Sequence, residues 1–427
     1  MKTMRIQPGL LAGTVPAPPS KSMAHRLCIC AALAEGKSRI TGIDPSDDIL
    51  ATLKGLRALG AEWTFEGDTL ILDGASIQTG TGDGEITIDC NESGSTLRFL
   101  VPLALTQNRP VRFIGRGNLH KRPMTVYRDI ARAQDIRYEE GRGEHLDLLV
   151  QGRLTPGTYA VPGDISSQFI TGLLLALPVL EGDSDLVITT PMESKGYLDL
   201  TLSALFAHGI QVENQMYQRF HIPGRQRYRP RDGAVEGDYS QAAFYLVADA
   251  LGSRVSVTGL DSNSAQGDRA ILDILSRMGC RMDGGAVLPP KRLTATHIDG
   301  SQCPDIVPIA ALAACLCHGE TKITGAARLR IKECDRLAAT AQELSKLGAR
   351  IEETPDGFLI QGVERLAGGA TVWSHGDHRI AMMLAVAATV CQEPIYLEDY
   401  PCVRKSYPGF FRDFTALGGK ADEWTMG

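Results

Sequence analysis

The polar and apolar positions of the chain repeat in a unit that has two parts. In the first part an apparent helix ends at a small residue and two short stretches follow, as in LRALGAEWTFEGDTLILDG at 56–74. Five further copies follow at intervals of about 70 residues. Glycine is the expected helix C-cap because it enters the left-handed region freely. The turn positions of the six copies are Gly60, Asp135, Gly209, Gly279, Gly348 and Gly418.

The second part of the unit is a short strand with a polar segment after it. Alternating residues such as Val255 and Val257 in SRVSVTG suit a half-buried strand. Between the two parts lie segments that are almost entirely apolar, which predicts helices at the centre of each domain. These segments read RFLVPLALT, QFITGLLLALPVL, QAAFYLVADAL, IVPIAALAACL and RIAMMLAVAATV.

The length of the repeat limits the possible folds. Units of about 70 residues are too long for a short solenoid repeat, so six of them favour two domains of three units each. Strands and helices alternate in a mixed order, which predicts an α/β or α+β fold and not a doubly wound sheet. The chain contains no P-loop, and GRGNLH at 115–120 lacks the third glycine of a dinucleotide fingerprint.

Composition narrows the class of protein. The 427 residues are 43% hydrophobic and 22% charged, with a formal net charge of −6, so no general attraction to nucleic acid or anionic membranes is expected. No secretory signal and no transmembrane run is recognisable. The ten cysteines form no CxxC pair, which favours free thiols in a reducing cytoplasm. His375, Asp377 and His378 have no second ligand cluster, so neither a metal nor another cofactor is expected.

Polar residues gather in the segment after each short strand and before several helices. Equivalent segments should lie at equivalent places, and in two domains they could converge on one cleft. In an acidic protein, many separate cations beside Ser and Gly indicate anionic small-molecule ligands. These cations are Lys21, Arg26, Arg98, Arg122, Lys195, Lys332, Arg336, Arg379 and Lys405. Taken alone, the run RLRIKECDRL at 328–337 is more typical of a solvated helix face.

Ten ordered motifs carry a resemblance over essentially the whole chain. They read SKSMAHR, SGSTLR, KRPM, SSQF, SKGYLDLT, EGDYS, PDIVP, RIKECDRL, DHRIAM and RKSYP. In this order they resemble the EPSP synthase family, the enolpyruvyl transferases of the shikimate pathway. The resemblance implies transfer of the enolpyruvyl group of phosphoenolpyruvate to the 5-hydroxyl of shikimate 3-phosphate, with release of phosphate. A monomer that binds only these small molecules is expected.

The resemblance also implies an architecture, a two-domain inside-out α/β barrel in which each domain has three βαβαββ-type units. Residues 1–18 and 236–427 would form one domain and residues 19–235 the other. The active site would lie in the cleft between them.

Site residues follow from the resemblance, motif by motif. Those expected to bind shikimate 3-phosphate are Lys21, Ser22, Arg26, Ser166, Ser167, Gln168, Ser194, Tyr197, Asp305 and Lys332. Those expected to border phosphoenolpyruvate are Lys21, Gly94, Arg122, Gln168, Arg336, Arg379 and Lys405. The resemblance makes Asp305 the base near the hydroxyl, makes Glu333 the proton donor to C3, and lets Lys332 span both ligands. Without it, Asp305 would be a plain acid at a helix N-terminus.

The local structure of RLRIKECDRL is part of the same expectation. Lys332, Glu333 and Arg336 are expected to face the cleft at the i, i+1 and i+4 positions of a helix. Asp335 would support Arg336 or a nearby turn, and Cys334 is expected to be a packed thiol. As a proton donor Glu333 needs a raised pKa or rapid proton exchange, and Lys332 and Arg336 would lower its pKa unless ligand anions neutralise them.

Two departures from the family pattern and two rival functions stay open at this point. Glu92 stands in a motif where many members have Asn, and Arg328 stands where a member can carry Asn. One rival is the related transferase that acts on UDP-N-acetylglucosamine, which typically has a Cys in the loop that here reads GRGNLHKRP and has none. The other rival is a non-catalytic scaffold of this fold that only binds anions.

Overall fold

A computed structural model describes residues 2–74 and 84–424 of the chain. The backbone divides into two compact units. We call Pro19–Val235 unit N, and Met1–Pro18 together with Glu236–Gly427 unit C. Each unit is built from helices and strands in alternation, which confirms the mixed α/β prediction.

The helices of the described residues start and end as follows: α1 Lys21–Leu33, α2 Asp47–Ala58, α3 Gly94–Ala104, α4 Thr125–Ala133, α5 Ser167–Ala176, α6 Lys195–Ala207, α7 Tyr239–Ala250, α8 Ala270–Arg277, α9 Val307–Cys315, α10 Arg336–Lys346, α11 His378–Thr389 and α12 Phe410–Ala416. Short 3-10 turns are found at Gly117–Lys121, Leu177–Val179, Gly267–Arg269, Pro304–Ile306, Ala327–Ile331 and Tyr400–Lys405. Within the described residues, no helix is both long enough and apolar enough to cross a membrane.

The strands in the same ranges are β1 Thr3–Gln7, β2 Ala12–Pro16, β3 Lys37–Thr41, β4 Glu62–Glu66, β5 Thr69–Asp73, β6 Ile86–Asp89, β7 Val111–Gly115, β8 Arg137–Glu140, β9 Leu146–Gln151, β10 Thr158–Val161, β11 Ser184–Ile188, β12 Glu213–Gln215, β13 Arg219–Ile222, β14 Gly233–Ala234, β15 Arg254–Thr258, β16 Arg281–Asp283, β17 Ala286–Leu288, β18 His297–Asp299, β19 Glu320–Thr324, β20 Arg350–Thr354, β21 Gly357–Gln361, β22 Thr371–Trp373, β23 Ile395–Glu398 and β24 Lys420–Trp424.

The sheets of unit N share one topology. In the order β6-β7-β9-β8, the first pair is parallel and the next two pairs are antiparallel. The order β10-β11-β13-β12 repeats this arrangement. In the third sheet, β14-β3-β5-β4, the parallel outer strand β14 comes from the far end of the unit, because β3 has no preceding strand of its own there.

Unit C repeats the topology with the same kind of exchange. The sheet β18-β19-β21-β20 has the order found in unit N. The N-terminal strand β1 completes another, β22-β23-β1-β24, and β2 pairs in parallel with β15. The chain start therefore supplies the strands that two of the C-terminal repeats need.

The most apolar helices lie at the centre of each unit. Every residue of α7, α9 and α11 is buried, and these three helices contact one another in unit C. In unit N, α3 and α5 are almost wholly buried and pack against each other. An all-round apolar helix is stable only in such a place, so the sequence prediction of central helices is confirmed.

All six turn positions of the repeat adopt positive φ. Five are glycines with φ between 81° and 117°, and Asp135 has φ 55°. Each lies one residue beyond a C-cap, for example after Leu59 and after Leu347. This conformation ends the helix and turns the chain into the next strand, as the pattern predicted.

Candidate active site

In unit N, helix α1 carries three of the predicted ligands at its start. Ser20 caps the helix by accepting a hydrogen bond from the Met23 backbone N at 3.3 Å. Lys21, the first helical residue, forms an ion pair with Asp48 at 2.7 Å. Ser22 and Arg26 follow on one face, since residues four apart in a helix are neighbours; the Arg26 guanidinium donates to the Ser22 carbonyl at 2.6 Å.

Arg26 is a buried cation whose partners carry no formal charge. Besides the Ser22 carbonyl, it donates to the hydroxyls of Thr201 and Thr171 and to the Tyr197 carbonyl, at 2.8, 3.3 and 2.9 Å. Burial lowers the pKa of Arg26 to about 10, against small opposing effects from neighbouring groups. Arg26 is therefore a buried positive charge among neutral partners, which favours an anionic ligand.

Helices α3 and α5 bring a second group of predicted residues together. Ser93 caps α3, and a Cβ at Gly94 would lie 2.3 Å from Nη1 of Arg122. Only glycine therefore lets this guanidinium approach the helix N-terminus so closely. Gln168 on α5 accepts from Arg98 at 2.8 Å and donates to the Ser95 hydroxyl at 2.9 Å. Arg98 was noted in the sequence as a cation but not assigned to the site.

Three serines and a tyrosine lie at the starts of α5 and α6. Ser166 caps α5 by accepting from the Gln168 backbone N at 3.3 Å, and Ser167 begins the helix. Ser194 precedes α6 with φ 55° and is 1% exposed. Tyr197 lies one turn further on, where its carbonyl binds Arg26. Helix N-termini present backbone N–H groups, so these positions suit a phosphate or a carboxylate.

In unit C, Asp305 lies among three predicted cations. It is held in the 3-10 turn Pro304–Ile306, directly before α9. Its carboxylate contacts Arg336 at 3.0 Å, Arg379 at 2.8 Å and Lys332 at 3.7 Å. Burial alone would raise the pKa of Asp305, but the charges of Arg379, Lys332 and Arg336 hold it well below its usual value. The carboxyl is therefore ionised in this arrangement.

Lys332 is the group of this cluster with a pKa near neutrality. Burial lowers the pKa of Lys332 to about 8, Asp305 opposes this, and Arg336 adds to it. Glu333, the next residue, forms an ion pair with Arg336 at 2.6 Å. A buried lysine with a lowered pKa and two carboxylates within one network give the cluster the groups that proton transfer needs.

The helical spacing predicted for Lys332, Glu333 and Arg336 is wrong. Residues 327–331 form a 3-10 turn, 332–335 are not helical, and α10 begins only at Arg336. Asp335 causes this start, since its carboxylate caps the helix by accepting from the Ala338 backbone N at 3.0 Å. Lys332 and Glu333 reach Asp305 and Arg336 from the bend that precedes the helix and not from its face.

Arg336 is tied to an acid that the sequence reasoning missed. Asp377 is fully buried, binds Nε of Arg336 at 2.7 Å and caps α11 through the Arg379 backbone N at 2.8 Å. Burial would lower the pKa of Arg336, but Asp377, Glu333 and Asp305 together raise it well above its usual value. The signal was present, because an Asp just before an apolar run is an N-cap signature.

The other two predicted cations of unit C, Arg379 and Lys405, donate hydrogen bonds to oxygens of neighbouring segments. Arg379 donates to the Ser240 hydroxyl at 3.1 Å as well as to Asp305. Lys405 donates to the Gly376 carbonyl at 2.7 Å. Cys334 is partly buried, its thiol lies 3.7 Å from Asp377, and burial followed by the charge of Asp377 raises its pKa far above the usual value, which fits a packed thiol.

Both residues that depart from the family pattern contact neighbouring segments of the chain. A Cβ added at Gly117 would lie 2.4 Å from the Glu92 carboxylate, so Glu92 lies against the loop that leads to Arg122. Arg328 donates to the Ser301 carbonyl at 2.8 Å. Arg330, also left open by the sequence, forms ion pairs with Asp335 and Glu353 at 3.0 and 2.6 Å.

The predicted residues thus fall into two sets, one in each unit. Cluster N consists of Lys21, Ser22, Arg26, Gly94, Arg122, Ser166, Ser167, Gln168, Ser194 and Tyr197. Cluster C consists of Asp305, Lys332, Glu333, Arg336, Arg379 and Lys405. Within residues 2–74 and 84–424, no group of three His, Cys, Asp or Glu side chains is arranged to hold a metal ion.

Comparison with known proteins gives a family match over almost the whole chain. Residues 6–414 match the family model described as EPSP synthase (3-phosphoshikimate 1-carboxyvinyltransferase). The 3-phosphoshikimate 1-carboxyvinyltransferase of Clostridium botulinum (strain Alaska E43 / Type E3) is 55% identical, with 100% of both chains covered. The protein of that name from Clostridioides difficile (strain 630) is 52% identical, again with 100% of both covered. Among solved structures, an EPSP synthase from Acinetobacter baumannii has a TM-score of 0.82 at 26% identity, with 100% of both chains covered.

Proposed function

The chain belongs to the EPSP synthase family, and from this membership we propose which substrate contacts and which proton transfers clusters N and C each provide. It transfers the enolpyruvyl group of phosphoenolpyruvate to the 5-hydroxyl of shikimate 3-phosphate (EC 2.5.1.19), a step of aromatic amino-acid biosynthesis in the shikimate pathway. The reaction adds the hydroxyl oxygen to C2 and a proton to C3 of phosphoenolpyruvate. The tetrahedral intermediate then loses phosphate from C2 and a proton from C3, which restores the double bond.

Most contacts to shikimate 3-phosphate are assigned to cluster N. Arg26 supplies a buried positive charge, and the N-termini of α5 and α6 present hydroxyls and backbone N–H groups. Such N-termini bind phosphate well. Ser166, Ser167 and Ser194 would therefore hold the phosphate or the hydroxyls of this substrate, with Ser22 and Tyr197 beside Arg26. Asp305 and Lys332 of cluster C would contact it near the reacting hydroxyl.

Phosphoenolpyruvate is assigned to residues of both clusters. Its phosphate and carboxylate need several cations, and guanidinium groups bind such anions through two parallel hydrogen bonds. From cluster N these contacts would come from Lys21, Arg122 and Gln168, with Gly94 leaving room; from cluster C they would come from Arg336, Arg379 and Lys405. The proposal therefore requires clusters N and C to meet in a cleft when both ligands are bound.

The proton transfers are assigned to cluster C. Asp305 would take the proton of the attacking hydroxyl, and Glu333 would deliver a proton to C3. Bound anions would offset the charges of Arg379 and Lys332, which now lower the pKa of Asp305, and so bring it closer to the range of a general base. Lys332, with a pKa of about 8, would stabilise the phosphate as it leaves.

The observation that carries this proposal is the position of Asp305 in contact with three cations assigned to the ligands. The test is whether phosphate is released from phosphoenolpyruvate with shikimate 3-phosphate as acceptor, and a coupled assay measures the released phosphate. Release above background is expected. Release only with UDP-N-acetylglucosamine would instead support the related transferase, and binding without release would support a non-catalytic scaffold.

A matched pair of variants tests the assignment of phosphoenolpyruvate. Arg122→Ala removes the guanidinium beside Gly94 and should chiefly weaken the use of phosphoenolpyruvate. Arg137→Ala is the control, because Arg137 lies on the exposed strand β8 and its partners Glu139 and Gln151 are not assigned to a ligand. Unchanged KM and kcat in Arg122→Ala would show that this guanidinium does not reach the ligand.

The quaternary state and location are part of the proposal. We expect a monomer in the cytoplasm, where a biosynthetic enzyme meets its metabolites. The ten cysteines, all within the described residues, are free thiols, which supports a reducing compartment. Light scattering of the purified protein would contradict a monomer if it gave twice the mass of one chain.

A further inference from the structure

One short turn, residues 374–377, touches three of the cations assigned to phosphoenolpyruvate. The Asp377 carboxylate binds Nε of Arg336 at 2.7 Å and accepts the backbone N–H of Arg379 at 2.8 Å. The carbonyl of Gly376 accepts from Nζ of Lys405 at 2.7 Å. A displacement of this turn would therefore release the charged groups of Arg336 and Lys405 and shift the backbone that carries Arg379.

The backbone of the turn is unusual. His375 has φ 54° and Gly376 has φ 67°, so two consecutive residues lie in the left-handed region. Glycine adopts this conformation freely, whereas a residue with a bulky side chain adopts it only where surrounding contacts hold it. Contacts from the surrounding structure must therefore hold His375 in this conformation.

Glu343 supplies these contacts from helix α10. Its side chain is 0% exposed, and Nε2 of His375 donates to its Oε1 at 2.8 Å. Its Oε2 accepts the backbone N–H of Trp373 at 3.0 Å and also contacts Lys346 at 2.8 Å. Burial would raise the pKa of Glu343, but its bonds to His375, Lys346 and the Trp373 backbone hold it below the usual value. The Trp373 and His375 rings lie against each other, with centroids 4.2 Å apart.

Helix α10 therefore holds the turn at two points. Arg336, its first residue, binds Asp377, and Glu343 binds His375 and Trp373. These two helical residues are seven positions apart, about two turns, and so lie on the same face. Two attachments fix both the position of the turn and its rotation about the helix, which a single ion pair would not do.

We propose that Glu343 and His375 are positioning residues that set the geometry of Arg336, Arg379 and Lys405 for phosphoenolpyruvate, an inference that rests on the site proposed above. Neither residue is assigned to a substrate. Their bond holds the strained turn, and the turn holds the three cations. Loss of the bond should therefore weaken phosphoenolpyruvate binding and leave shikimate 3-phosphate, assigned mostly to unit N, largely unaffected.

His375→Gly and His375→Gln form the matched pair for the test. Glycine fits the positive φ but cannot reach Glu343, whereas the glutamine amide offers an N–H near the place of Nε2. We expect the KM for phosphoenolpyruvate to rise about tenfold or more in His375→Gly, and to rise much less in His375→Gln. The dissociation constant of shikimate 3-phosphate, measured by calorimetry, should stay within about twofold in both.

Two further variants keep the result interpretable. Lys346→Gln removes the partly exposed partner of Glu343 but leaves the bond to His375, so its KM should stay within about twofold of the wild type. Glu343→Met removes both oxygens that accept from His375 and Trp373, should reproduce the effect of His375→Gly, and serves as the second test if His375→Gly does not fold. A wild-type KM in a folded His375→Gly or Glu343→Met protein would overturn the inference, as would equal losses for both substrates.

Lys405→Met separates this inference from the proposed site. If Lys405→Met raises the KM for phosphoenolpyruvate and His375→Gly does not, only the positioning role is wrong. If Lys405→Met leaves the KM unchanged, the assignment of phosphoenolpyruvate to this cluster is itself wrong, and the positioning role falls with it.

Discussion

Two buried arginines, one in each unit, have opposite electrostatic surroundings. Arg26 in unit N is 3% exposed and Arg336 in unit C is 2% exposed. Burial lowers the pKa of Arg26 to about 10. Burial acts on Arg336 in the same direction, yet Asp377, Glu333 and Asp305 raise its pKa well above the usual value. The difference lies in the partners, which are hydroxyls and carbonyls for Arg26 and three carboxylates for Arg336.

The contrast indicates a division of roles between the two clusters. A cation among neutral oxygens is stabilised further when an anion arrives, so the surroundings of Arg26 favour binding of a phosphate. A cation among carboxylates is already balanced, and it holds those carboxylates in place for proton transfer. On this contrast we propose that Arg26 of cluster N binds an anion directly, whereas Arg336 of cluster C also holds the acid and base groups in place.

The largest expected effect is on stability, and it compares the two arginines directly. Arg336→Met would leave Asp377, Glu333 and Asp305 without their shared cation, at a cost of about 3–5 kcal/mol in the free energy of unfolding. Arg26→Met leaves only neutral partners and should cost about 1–2 kcal/mol. Urea unfolding at pH 7, followed by circular dichroism, measures both. Equal losses would show that the carboxylates around Arg336 do not depend on it.

The second effect is on turnover and tests the role given to cluster C. Glu333→Gln keeps the size of the side chain and a contact to Arg336 but removes the group that would give a proton to C3. We expect kcat to fall about 10²-fold or more, with the unfolding midpoint little changed. Glu353→Gln is the control, because Glu353 lies on β20, forms an ion pair with Arg330 and is not assigned to a ligand or a proton transfer. Turnover near that of the wild type would remove Glu333 from the mechanism.

The parts of the fold that the sequence predicted are those that depend on local chemistry. Gly348 must follow a helix because its positive φ ends the helix, and this is visible in the residue itself. The apolar run IVPIAALAACL can be stable only inside the unit, so its burial as α9 also follows from its composition. Such features need no knowledge of distant residues.

The parts of the site that the sequence did not predict depend on partners far apart in the chain. Arg336 and Asp377 are separated by 41 residues, and Glu343 and His375 by 32. No local pattern states which acid meets which cation. The helical spacing given to Lys332 and Glu333 was wrong for a local reason, since the mixed charges of the run concealed the N-cap at Asp335.

A third, smaller effect tests cluster N at its tightest contact. Gly94→Ala adds a Cβ that would lie 2.3 Å from Nη1 of Arg122, so the guanidinium has to move. We expect the KM for phosphoenolpyruvate to rise about tenfold, the worth of one charge-assisted hydrogen bond. Gly67→Ala is the control for a glycine with open space around it, although its φ of 64° calls for a check of stability. An unchanged KM in Gly94→Ala would show that Arg122 is not confined by this contact.

The smallest expected effect is gradual and separates the clusters by pH. Lys332 has a pKa of about 8, so its charge is present below that pH and is lost as the pH rises through it. If the charge holds phosphate, kcat/KM for phosphoenolpyruvate should be level up to pH 7 and decline with a midpoint near pH 8. Arg26 of cluster N should not contribute to this decline, because it keeps its charge until about pH 10. His25 stays neutral there, since burial first, and then Lys21 and Arg26, lower its pKa. Lys332→Arg, which stays charged, should move the decline above pH 9; an unmoved midpoint would assign the titration to another group.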